Sequence, residues 1–230
     1  MDRPDVNPAR LSTALSGLFP PGAIAAELRE PGSPDFLFPA EARHLGRAVP
    51  KRIGEFAAGR LCARRALAEF GIRDFALEAA EDRQPVWPAA MVGSITHTDG
   101  FCAAVVAERR SMAALGIDTE VAGDVKVELW PSICLPPEMD WVHSLPQDQQ
   151  AAAATLIFSA KEAFYKCQYP LARERLGFKD VRVKAGWGAE GEFRILATRR
   201  IALGAMLPMC GRYLIHQEFV TAGMALAASL

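Results

Sequence analysis

Apolar residues recur along this chain with two periods, one helical and one strand-like. Over residues 53–70, Phe56, Leu61, Ala63, Leu67 and Phe70 supply a helical stripe, and Gly71 offers a C-cap. Residues 149–168 predict a second long helix, capped by Asp148 and ended by Pro170. A shorter helix is expected over residues 40–49, stopped by Pro50. Residues 1–40 read as an irregular lobe with helical turns at 10–18 and 23–30, broken by Pro20-Pro21-Gly22 and Pro31-Gly32-Ser33-Pro34. Strands are predicted at 74–78, 91–98, 101–106, 112–117, 178–184, 191–198, 213–219 and 220–230. Asp99-Gly100 marks a hairpin between the second and third of these. Residues 121–148 carry four prolines and predict a long connection with one short helix near Leu129, and 199–211 an extended loop.

The 230 residues are half hydrophobic, enough for one large domain or two small ones. With 26 basic and 27 acidic residues the net charge is −1, so no global field selects nucleic acid or an anionic membrane. The five cysteines form no CxxC pair, which excludes a disulfide framework or zinc site and suits a reducing compartment. The N-terminus has no charged-then-apolar signal pattern and no apolar run is long enough to span a bilayer, so a cytoplasmic protein is expected.

The chemistry concentrates where the strand at 112–117 ends. Asp118 and Glu120 are two apart and share one side of the strand. Two carboxylates about 7 Å apart repel by roughly 2–3 kcal/mol at an effective dielectric near 20. A hard divalent cation with oxygen ligands offsets that; two solvated surface acids are the bland alternative. On the second long helix, Phe158, Glu162 and Lys166 fall four apart, so Glu162 is either a third acid or half of a surface pair with Lys166. Basic residues cluster at Lys51, Arg52, Arg60, Arg64 and Arg65; Arg60 and Arg64, four apart on one helix face, are a solvated pair or a phosphate clamp. His97 precedes the hairpin turn, with Ser94, Thr96 and Thr98 expected as hydroxyls around it. The spacing Phe56, Arg60, Arg64 echoes Phe158, Glu162, Lys166, one set in each half. Acids, cations and a polar turn, without a P-loop, dinucleotide fingerprint or serine-hydrolase motif, suit metal-assisted chemistry on a phosphorylated ligand.

Several blocks in fixed order resemble the 4′-phosphopantetheinyl transferases. They are Lys51 to Arg60 with Cys62-Ala63-Arg64, Trp87-Pro88, Gly93-Ser94-Ile95-Thr96-His97, Gly116-Ile117-Asp118-Thr119-Glu120, Phe158 to Lys166, and Leu176-Gly177-Phe178-Lys179-Asp180. Their order and spacing resemble the monomeric surfactin/enterobactin-activating type. The resemblance implies an α+β fold of two similar α/β halves related by pseudo-twofold symmetry. Each half would pack a small antiparallel sheet with a long helix, with a ligand cleft between them. We expect residues 1–111 to form one half and 112–230 the other. The implied reaction moves the 4′-phosphopantetheine arm of coenzyme A to a serine of an apo acyl or peptidyl carrier protein, releasing 3′,5′-ADP.

Residue by residue, the match implies that Asp118, Glu120 and Glu162 hold Mg²⁺, with Mn²⁺ as an alternative. Glu162, directly or through a metal-bound water, takes the serine proton, and Lys166 neutralises the pyrophosphate. His97 contacts the phosphates, Arg52 and Arg60 hold the 3′-phosphate side, and Arg83, Ser94, Thr96 and Lys161 are further coenzyme contacts. Siderophore, polyketide, peptide and fatty-acid carriers all remain open. Two rivals are a coenzyme-sequestering module, which needs no three acids, and a hydrolase that releases free phosphopantetheine.

Overall fold

The computed structural model describes residues 7–228, without the side chain of Ala205. The N-terminal segment read for targeting signals and the last two residues of the expected final strand lie outside the described residues. The chain forms two compact units. One takes in the chain up to Leu115 together with Ala227 onward, and the other is Gly116–Leu226. The division falls inside a strand, between Leu115 and Gly116.

In the first unit, β1 (Arg10–Leu11), the one-turn helix α1 (Thr13–Ser16) and β2 (Ile24–Leu28) replace the helical turns expected at 10–18 and 23–30. β2 pairs with strands on both edges, and Ala25 and Ala26 are fully buried. Alanine favours a helix locally, but its small side chain also suits a strand covered on both faces, and tertiary pairing decides. The helix expected at 40–49 is only α2 (Pro39–Ala42), and Gly46 turns the backbone left-handed at φ +52°. Pro50 does not merely stop that helix. It is the first residue of α3 (Pro50–Ala68), where the missing N–H costs nothing. Residues 74–78 join no named strand. The Leu77 N–H donates to Glu41 and its carbonyl accepts from Arg60, so side chains take the place of a sheet partner.

β3 (Met91–Thr98) and β4 (Phe101–Glu108) form the expected hairpin about Asp99-Gly100, with Gly100 at φ +70°. The sheet order is β1-β2-β4-β3. α3 covers one face, and Leu61, Ala63, Leu67, Ala104 and Val106 share a buried core.

The second unit is entered along β5 (Met112–Val121), which runs on through Asp118 and Glu120 rather than ending before them. After a 3-10 turn at Val127–Leu129 come α4 (Trp130–Ile133) and α5 (Pro136–His143). The prolines of 121–148 read as breakers, yet Pro131, Pro136 and Pro137 occupy first helical turns. α6 (Gln147–Ala172) is longer than expected. It passes through Pro170 at the loss of one backbone bond near its end, and stops at left-handed Arg173. Asp148 lies in its first turn rather than at the cap.

A 3-10 turn at Phe178–Asp180 takes the start of the expected strand 178–184. There follow β6 (Val181–Ala185), β7 (Glu190–Ala197), β8 (Met209–His216) and β9 (Phe219–Ala227). The expected strand 213–219 is split by a turn at Gln217, φ +54°. The order β5-β9-β8-β7-β6 is an antiparallel meander from β6 to β9 with β5 beside β9. Phe164, Phe193, Ile195 and Tyr213 are fully buried in this unit. Both units thus pair one antiparallel sheet with one long helix, an α+β architecture.

Candidate active site

The acids of the second unit stand where β5 passes under α6. A Cβ added at Gly116 would lie 1.9 Å from the Ala163 carbonyl oxygen and 2.8 Å from the Cys167 nitrogen. Only glycine lets the strand backbone come this close to the helix. Two residues on, the buried Asp118 uses both oxygens. Oδ1 accepts from Lys166 Nζ at 2.7 Å and Oδ2 accepts from Ser159 Oγ at 3.0 Å. Lys166 also donates to the Ile117 carbonyl at 3.1 Å. Ser159, Glu162 and Lys166 follow one another at i, i+3 and i+7, one face of α6. Burial, and then the charge of Asp118, push the Glu162 carboxyl above the usual carboxylate range, with Lys166 pulling the other way. Glu162 and Asp118 therefore sit within electrostatic reach. Glu120 is half-buried, two residues beyond Asp118 on the same side of β5.

Among the described residues no three His, Cys, Asp or Glu side chains converge as a metal-holding group. The structure brings Asp118 and Glu162 together and keeps Glu120 in the neighbouring strand position. The donor chemistry fits a hard cation. All three side chains are carboxylates, and the charge of Asp118 adds to burial in raising the proton affinity of Glu162.

Lys161 does not face that cluster. One position round the helix from Glu162, its ammonium is buried and donates to Ile133 O at 2.8 Å, Glu138 Oε2 at 2.7 Å and Phe178 O at 2.8 Å. All three donors are used, so the expectation that Lys161 contacts a coenzyme is corrected to an internal tie. Burial lowers its pKa despite Glu138. Glu138, unnoticed in the sequence, also accepts from the Leu135 and Val183 N–H groups, each at 2.6 Å. Its signal was there to be found as the N3 acid after Leu135-Pro136-Pro137.

In the first unit, Arg52 Nη1 lies 2.8 Å from His97 Nε2 and 3.4 Å from Glu55 Oε2, and His97 Nε2 is 3.1 Å from the same Glu55 oxygen. A bare Nε2 accepts from Arg52; a protonated one donates to Glu55. Ser94 and Thr96 are buried and alternate with His97 along β3, so they point to the other face. The hydroxyls expected around His97 are thus separated from it by the pleat. Gly93 makes room for Trp87, whose ring a Cβ there would meet at 2.6 Å.

Arg60 is nearly buried. Its Nε donates to Leu77 O at 3.1 Å, and its guanidinium lies 3.6 Å over the Phe56 ring. Burial lowers its pKa to about 10, with Glu41 opposing and Arg52 and Arg64 assisting. Its two terminal nitrogens have no hydrogen-bond partner among the described residues, which leaves them for an anion. Arg64 is committed elsewhere: Nη1 donates to both oxygens of fully buried Glu41 at 2.7 and 2.9 Å, and Nη2 to Phe36 O at 2.6 Å. Arg83 stands exposed in a left-handed turn, φ +69°, with no ion pair among the described residues.

Comparison with known proteins matches segments of both units to one family. Residues 40–107 match the 4′-phosphopantetheinyl transferase N-terminal domain and residues 114–204 the 4′-phosphopantetheinyl transferase superfamily. The 4′-phosphopantetheinyl transferase Npt of Nocardia iowensis is 34% identical over 93% of this chain and 100% of its own length. The 4′-phosphopantetheinyl transferase Svp of Streptomyces mobaraensis is 36% identical over 93% of this chain and 89% of its own. Enterobactin synthase component D of Escherichia coli K12 is 40% identical over 55% of this chain and 58% of its own.

Proposed function

The chain belongs to the 4′-phosphopantetheinyl transferase family, and on that footing we propose that it transfers the 4′-phosphopantetheine group of coenzyme A to a serine of apo carrier proteins, releasing 3′,5′-ADP. The observation that carries this reading is the neighbouring pair Asp118 and Glu162, with Lys166 bonded to the first and opposing the raised proton affinity of the second.

Asp118, Glu120 and Glu162 would hold Mg²⁺, or Mn²⁺ in its place. Bound there, the cation supplies positive charge to the pyrophosphate and to the phosphorus under attack. The serine hydroxyl attacks that phosphorus, the P–O bond to 3′,5′-ADP breaks, and the serine proton passes to Glu162. An ionised carboxylate within reach of the hydroxyl can take that proton. Lys166 keeps Asp118 oriented and would lend its charge to the 5′-phosphate of the departing 3′,5′-ADP. Arg52, His97 and the terminal nitrogens of Arg60 are the phosphate-holding groups of the first unit, with Arg83 as an outer cation. Ser94 and Thr96 would bind the coenzyme only from the face of β3 opposite His97.

The five cysteines are free thiols, which supports a reducing, cytoplasmic setting, and no described helix is long and apolar enough to cross a membrane. We place the chain there as a monomer. The likeness to an enterobactin synthase component makes a siderophore peptidyl carrier the first substrate to try.

The test is intact-mass spectrometry of apo carrier proteins incubated with this chain, coenzyme A and Mg²⁺. One phosphopantetheinyl group gained on serine, absent with chelator and with Asp118→Ala or Glu162→Ala, is the expected result. Release of free phosphopantetheine with no carrier modified would instead identify a hydrolase.

A further inference from the structure

Glu138 has no place in the chemistry just described, yet it is among the most thoroughly bonded side chains in the protein. It is 2% exposed and holds Lys161 Nζ at 2.7 Å, the Leu135 N–H at 2.6 Å and the Val183 N–H at 2.6 Å. Lys161 in turn holds the carbonyls of Ile133 and Phe178. One buried ion pair thus ties α6 to α4, α5, the Phe178–Asp180 turn and β6. We infer that Glu138, through Lys161, is a positioning residue for Glu162 in the transfer reaction. This rests on the function proposed above and deepens it.

The argument is geometric. Lys161 and Glu162 are consecutive on α6, so their side chains leave the helix about 100° apart. Glu162 faces Asp118; Lys161 faces away, into the hub. On the acid side α6 is held by Ser159 and Lys166, which both grip Asp118. On the other side, among the described residues, the Lys161 hub reaches α4 and α5 through a charge. A helix gripped on two sides cannot roll about its axis, and roll is the motion that would swing Glu162 away from Asp118. A buried ion pair is a poor source of net stability, because apolar residues of similar volume do as well. It is a good source of fixed direction, since three saturated donors accept one ammonium position. A displacement of about 1 Å at a reacting group can cost on the order of a hundredfold in rate.

The test compares Lys161→Met, Glu138→Gln and the double variant Lys161→Met/Glu138→Met, each checked by circular dichroism. Positioning predicts that Glu138→Gln and Lys161→Met lower kcat at least tenfold, leave the KM for coenzyme A within about twofold, and need more Mg²⁺ for half-maximal rate. The double variant removes both charges, so it recovers thermal stability but not kcat. Recovery of kcat with stability would make the pair plain scaffold and overturn the inference. A large rise in the KM for coenzyme A with kcat unchanged in Lys161→Met would make Lys161 a coenzyme contact and also overturn it. So would failure of all three variants to fold. If the unaltered chain modifies no carrier, the proposed function fails by itself. The inference is then read by calorimetry of coenzyme A, where Glu138→Gln should weaken the gain in affinity that Mg²⁺ brings.

Discussion

Lys166 Nζ sits 2.7 Å from Asp118 Oδ1 and 3.1 Å from the Ile117 carbonyl, so one ammonium bridges helix α6 to strand β5 at the residue that begins the acid cluster. The pair fixes the direction of Asp118, and the same ammonium pulls against the raised proton affinity of Glu162.

Replacing Asp118 with Asn keeps the shape and removes the charge. Ser159 can still donate to the amide oxygen, so the fold should survive with a loss of about 1–2 kcal/mol in urea denaturation. Transfer should fall at least a hundredfold, and the Lys166→Met variant should behave alike if the two act as a unit.

Glu162 has a raised pKa, so the folded chain binds its proton more tightly than the unfolded chain does. The stability this contributes is full below the ordinary carboxylate value of 4.5 and is lost as pH rises through the folded value. Without divalent cation, Glu162→Gln should therefore gain on the unaltered protein in thermal midpoint as pH goes from acid to neutral. Added Mg²⁺ should raise the midpoint of the unaltered protein more than that of the variant. An equal response in both would remove Glu162 from the metal site.

Gly116→Ala should be severe although it adds one methyl group. The new carbon would meet backbone, not a movable side chain, 1.9 Å from the Ala163 oxygen. Overpacking of this kind costs about 1–3 kcal/mol or more. Because the strand and helix that must part carry Asp118 and Glu162, activity should fall beyond what lost stability explains, as kinetics at low temperature would reveal.

Two arginines of α3 should separate cleanly. Arg64 is paired with fully buried Glu41, so Arg64→Met should cost about 3–5 kcal/mol and leave the KM for coenzyme A unchanged in the folded fraction. Arg52 is half exposed beside His97. Arg52→Ala should change stability by less than about 1 kcal/mol and raise the KM for coenzyme A several-fold. Identical behaviour of the two would refute the division between anchor and anion holder.

Much of this protein was determined by local sequence. The hairpin about Asp99-Gly100 follows from one dipeptide between two apolar runs. The two long helices follow from apolar spacing, and the shared side of Asp118 and Glu120 from strand alternation alone. The order of short motifs was enough to identify the family, because each motif fixes a side chain against a backbone turn, cap or close approach.

Other features were decided only by tertiary structure, where a residue's role depends on what is packed against it. Ala25 and Ala26 are strand residues because β2 is covered on both faces, not because alanine prefers it. Pro136 starts a helix rather than breaking one, and Pro170 removes one backbone bond in the last turn of a long helix without ending it there. Arg60 and Arg64 are indistinguishable by spacing, yet the buried Glu41 carboxylate takes Arg64 as its partner, while the terminal nitrogens of Arg60 have no hydrogen bond among the described residues. Lys161 and Glu162 are neighbours in sequence and part company by the turn of a helix. Charge and spacing are written in the chain, but which charges are desolvated, and by what partners, is settled only when distant segments meet.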